Sequence, residues 1–119
     1  PDEKKALLKT LEDVQAMIGH MVGVAMQSQE NPKEIYKVGL NTSRLLMATG
    51  DLIIAWLLLR QADIAQSKLA NAGKDTEFYN GKIASAKFFV RSVLPHISVE
   101  RAVVESETGE IMNIAESAF

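Results

Sequence analysis

The apolar residues of this chain recur at intervals of three and four and nowhere alternate at two. From the N-terminal end the series runs Leu7, Leu11, Val14, Ile18, Met21 and Ala25, in steps of 4, 3, 4, 3 and 4. That period lays one apolar stripe along a helix and cannot line one face of a strand. No segment carries a strand or hairpin signal, and no internal repeat is present. The sequence therefore predicts an all-α fold, an antiparallel up-and-down helical bundle of three long helices plus shorter helices.

Helix breakers divide the chain. The first helix is expected from about Asp2 to Ser28, stopping at Asn31-Pro32. Asn31, Pro32 and Glu34 form a helix-start signal with a capping box, so a short helix is expected from Pro32 to about Val38, ended by Gly39. Asn41, Thr42 and Ser43 are capping types and predict a new, long helix over about Ser43 to Asn71. Its centre, Leu52 to Leu59, is apolar all round, which predicts a central helix surrounded by others. Gly73 suits a left-handed stop. A further helix starts at Asp75-Thr76-Glu77, with Tyr79, Ile83, Ala86, Val90, Val93 and Ile97 facing inward. Pro95 predicts a kink or an end there. A last helix over about His96 to Ser106, ended by Thr108-Gly109, is followed by a tail from Glu110 whose Ile111, Met112, Ile114 and Phe119 are expected along the bundle.

Length and charge bound the function. The 119 residues suit one domain, 1–119. With 13 basic and 15 acidic residues, nothing calls for nucleic acid. Residues 31–97 are mildly basic and residues 98–119 acidic, a pattern read as solvated faces or as a tail that docks. The chain has no cysteine, which excludes disulfides, thiolate metal sites and a cysteine nucleophile, and suits a cytoplasmic protein. The uninterrupted apolar run Leu52 to Leu59 is too short to cross a bilayer, so no transmembrane segment is expected.

Catalytic chemistry has few carriers. A di-iron bundle needs Glu-x-x-His pairs, but Met17 and Val93 stand three residues before His20 and His96. A haem would need His20 with a methionine, and methionine in a helical stripe is ordinarily packing. Phosphotransfer would need a basic residue after His20, where the run reads His20-Met21-Val22-Gly23. His96 beside Pro95 is expected either to cap freed carbonyls or to face water. No catalytic, cofactor-binding or metal-ligating residue is assigned. The aromatics are the remaining candidates. Trp56 reads as core or as an anchor at an interface between domains or chains. Phe78, Tyr79, Phe88 and Phe89 exceed one inner stripe. Phe88 and Phe89 point about 100° apart, so one of them should face outward. The candidate domain-interface residues are therefore Phe78, Phe88, Phe89 and Trp56.

Three segments in order carry a resemblance. Gly50 to Ala62 (GDLIIAWLLLRQA), Phe78 to Phe89 (FYNGKIASAKFF) with Val93-Leu94-Pro95, and Ile111 to Phe119 (IMNIAESAF) resemble the C-terminal domain of a subgroup of bacterial acyl-CoA dehydrogenases. That subgroup includes long-chain acyl-CoA and 3-methylthiopropanoyl-CoA dehydrogenases. The resemblance covers about residues 41–119. It implies a parent flavoprotein that oxidises an acyl-CoA to the 2,3-enoyl-CoA, with FAD taking the hydride and a glutamate removing the α-proton. Those motifs have no matching positions here. The resemblance therefore implies an accessory domain, inactive alone, and makes Pro1 the edge of a C-terminal fragment of a larger enzyme. Its partners would be the remaining dehydrogenase domains, the parent's acyl-CoA substrate and other copies in a homo-oligomer. The competing reading is a free-standing helical interaction module.

Overall fold

The computed structural model of the chain describes residues 1–119 and contains helices and turns but no strand. Helix α1 spans Asp2–Gln27, α2 Ile35–Lys68, α3 Thr76–Ser92 and α4 His96–Ser106, with short 3-10 turns between and after them. Helix α2 packs against each of the other three.

The long helix is longer than its sequence suggests. Gly39 does not end it, and Asn41, Thr42 and Ser43 do not cap it, because α2 runs unbroken from Ile35. The polar side chains instead bond back to carbonyls one turn earlier. Thr42 Oγ1 donates to Val38 O at 2.9 Å, and Asn41 Nδ2 donates to Lys37 O at 3.2 Å. Capping needs a free first-turn N–H, and inside a helix that group is already paired. The expected capping box at Asn31 is also absent. Asn31 makes no side-chain cap bond, and Glu34 pairs with Lys37 at 2.8 Å instead. Pro95 ends rather than kinks its helix. Helix α3 stops at Ser92, and a turn through His96 N to Val93 O (3.2 Å) starts α4. Gly73 and Gly109 take positive φ, 54° and 75°, so both stops fall at residues that tolerate the left-handed region.

The core is narrow. The buried face of α1 is Thr10, Asp13, Val14, Met17, Met21 and Val24. The expected stripe was rotated from this, since Leu11 and Ile18 are exposed. On α2 the four buried residues are Asn41, Ala48, Ala55 and Ala65. The first three repeat every seven residues, a seam of small side chains that lets neighbouring helices come close. Val90, Leu94, Ile97 and Val104 complete the cluster. Helix α2 is therefore central but not enclosed: Ile53, Ile54, Trp56 and Leu57 are all exposed. The tail's Ile111, Met112, Ile114 and Phe119 are exposed as well, and do not lie buried along the helices.

One ionic knot ties α1 to α4. Asp13, 1% exposed, accepts from Lys9 Nζ, from Ser98 Oγ at 2.7 Å and from Arg101 Nη1 at 3.0 Å. Burial pushes its carboxyl up, but the bonds from Lys9, Ser98 and Arg101 outweigh that and hold it below the usual range. Arg101 also donates to Glu105 at 2.8 Å, and these two carboxylates raise its guanidinium further.

The shape is a slab of 68 × 30 × 17 Å with a radius of gyration of 19.7 Å. A folded chain of this length would have a radius of about 13.5 Å. Its surface is 8198 Å². A folded monomer of 13.1 kDa exposes about 6,400 Å², so this chain exposes about 1,800 Å² more.

Candidate domain interface

Each aromatic candidate can now be placed. Trp56 is 48% exposed rather than core. Its ring carries the Arg60 guanidinium 5.3 Å from the centroid. It joins Leu7, Leu8, Leu11, Leu52 and Ile53 around an open groove of about 240 Å³ between α1 and α2, lined entirely by apolar side chains. On α3, Phe89 packs half-buried against the core, while Phe88 points out at 68% exposure. One of this adjacent pair thus faces inward and one outward, as the 100° step requires. Phe78 is 61% exposed, meets Tyr79 edge-on at 5.6 Å, and lies under Lys82 Nζ at 5.4 Å. The structure does not join these residues in one patch: Phe78 and Phe88 lie outside the Trp56 groove.

Replacing Phe88 with serine should shift stability by no more than about 0.5 kcal/mol, whereas Phe89→Ser should cost more than about 1 kcal/mol. Urea titrations of the two variants check this. A large loss from Phe88→Ser would mean that its ring is buried.

The charged groups form a second feature. Glu100 accepts from Arg44 Nη1 at 2.6 Å and pairs with His96 Nε2 at 2.7 Å. The Arg44 bond, with smaller help from His96, holds the Glu100 carboxyl below its usual range against the opposing effect of burial. So His96 caps no freed carbonyl but stands beside Glu100, at the edge of an open groove of about 380 Å³ that Asp51 also lines. His20 is partly buried on α1. No group of three or more metal-binding side chains comes together. The only side-chain hydrogen-bond donor lining the apolar Trp56 groove is the indole Nε1–H, too few for the polar edge of a flavin ring, and no chemical step is assigned through that cofactor there. Sequence reasoning missed Asp13, whose Lys9 neighbour one turn earlier is ordinary helix-surface spacing; Ser98 and Arg101 reach it only through the fold.

Residues 2–115 match the family described as acetyl-CoA dehydrogenase C-terminal like. The chain belongs to this family. It is 43% identical over 119 residues to the broad-specificity linear acyl-CoA dehydrogenase FadE5 of Mycobacterium tuberculosis, covering 98% of this chain and 20% of that protein. It is 38% identical over 86 residues to a butyryl-CoA dehydrogenase of Syntrophomonas wolfei, covering 69% of this chain and 14% of the relative. A 3-methylmercaptopropionyl-CoA dehydrogenase of Ruegeria pomeroyi is 34% identical over 95 residues, covering 80% of this chain and 15% of the relative. The chain thus spans a fifth or less of the length of these curated relatives. Membership in this family, expected from three segments, extends over the first helix as well.

Proposed function

We propose that the chain is the helical accessory domain of an FAD-dependent acyl-CoA dehydrogenase, a single unit over residues 1–119 and inactive on its own. The observation that carries this reading is a family match over residues 2–115 with relatives about five times as long. The parent would oxidise an acyl-CoA to the 2,3-enoyl-CoA in the cytoplasm as a homo-oligomer, with FAD bound in the remaining domains. An accessory role also suits the surface. A slab exposing about 1,800 Å² too much is stable beside a partner that covers it. The seven-residue link Ser28–Glu34 between α1 and α2 supports an antiparallel bundle, and the exposed Trp56, Phe78 and Phe88 support contact with another domain. The inward Phe89 supports its own helix rather than that contact.

The purified chain should be colourless and should not turn over acyl-CoA with an electron acceptor. Deleting the domain from the intact dehydrogenase should lower that enzyme's thermal stability. A yellow chain that retains FAD through gel filtration would sink the proposal.

A further inference from the structure

We infer that the catalytic portion of the dehydrogenase docks on the outer face of the α1–α2 pair, along an apolar stripe of α2. This rests on the accessory-domain reading above. Leu46, Gly50, Ile53, Leu57 and Ile64 follow one another at steps of 4, 3, 4 and 7. That is the 3.5-residue repeat with which one helix seats against another. The four apolar members are all exposed, Leu46 at 70%. At about 100° per residue, the stripe lies across the helix from the buried Ala48 and Ala55. A Cβ built on Gly50 would meet nothing within 4 Å, so a partner backbone can come close there.

Helix α1 widens the face with its exposed Leu8, Leu11, Ile18 and Val22. Leu8 and Leu11 share the groove with Ile53 and Trp56, which makes the two stripes continuous there. By the same helical step, Lys37, Arg44 and Asp51 lie on other sides of α2, and Arg44 is tied to Glu100. The charges on this side are Arg60, whose guanidinium covers Trp56, and Lys68 at the end of the helix. The exposed aromatics of α3 are less suited, since Phe78 and Phe88 share no groove with the α1–α2 face.

Area selects the occupant. A standard interface takes about 800 Å² from each partner. The excess of about 1,800 Å² is about twice that, the scale of a permanent contact. The relatives extend about four-fifths of their length beyond this match, which supplies a permanent neighbour in each molecule. Lipid is a poorer fit. Residues Pro32–Asn71, which include α2, are long and apolar enough to cross a bilayer. Yet α1, α3 and α4 pack on this helix, and Arg60 and Lys68 stand on the arc that is left, so no lipid-facing surface free of charge runs its length.

The test places a photo-crosslinking phenylalanine analogue at Leu57, Ile18 or Phe88 of the intact dehydrogenase and maps the products by mass spectrometry. Leu57 and Ile18 should crosslink to the catalytic portion, and in higher yield than Phe88. Leu57→Glu should speed amide exchange along residues 46–57 several-fold in the intact enzyme, while the helical circular dichroism of the isolated chain stays unchanged. Crosslinks from Phe88 alone, from Leu57 to a second copy of this domain, or from Leu57 to lipid would each overturn the inference and leave the accessory reading standing. A purified protein with no catalytic portion would remove both.

Discussion

Met17→Ala should lower the unfolding free energy by about 3 kcal/mol, a large part of the 5–15 kcal/mol typical of a domain. Met17 is fully enclosed, and the cluster around it draws on α1, α2, α3 and α4 through Val14, Ala55, Val90, Ile97 and Val104. Truncation removes most of a buried side chain and leaves a cavity, because helices seated on a small-residue seam cannot easily close further. Ile18→Ala is the control. Its side chain is exposed, so the change should cost less than about 1 kcal/mol. Urea unfolding of both variants measures the difference. Equal losses would mean that α1 is turned the other way about its axis.

Asp13→Ala should cost about 2–3 kcal/mol at neutral pH, the range for bonds to a charged group lost at a buried site. It leaves Ser98 without its partner and Arg101 with Glu105 alone. The pH dependence has a definite sign. Asp13 is held below its ordinary value of 3.8, so the folded state binds that proton more weakly than the unfolded chain. Its stabilisation is fully present above that value and disappears as pH falls through the lowered one. The gap between the parent chain and Asp13→Asn should therefore narrow below about pH 4. Glu100, held below 4.5, titrates nearby but is common to both proteins and cancels in the comparison. A gap that stays constant down to acid denaturation would mean that Asp13 is protonated or unpaired at neutral pH.

Family membership and the helical class were both readable before any coordinate. The helices at residues 2–27, 76–92 and 96–106 begin and end near expected signals, because Pro32, Gly73, Pro95 and Gly109 act locally. The failures share one cause. Asn41, Thr42 and Ser43 signal a helix start only when no helix already encloses them. Trp56 and the Leu52–Leu59 run signal a core only when the chain brings its own cover. Of the four interface candidates, Phe78, Phe88 and Trp56 are outward, and Phe89 packs inward. The apolar side chains beyond them, on α1 and α2, were read as interior because apolarity records that a surface is to be covered and says nothing of which molecule covers it.

By itself, then, the sequence determined the helical period, the stops and the family, because each is written in residues that act on their near neighbours or in order along the chain. Only the tertiary structure decided which side of each helix is inside. That choice depends on how closely Ala48 and Ala55 let α2 approach its neighbours, and on Asp13 meeting Ser98 and Arg101 from 85 and 88 residues away. Once the small side chains took the interior, the large ones on α1 and α2 were left outside, and an apolar sequence became an apolar face.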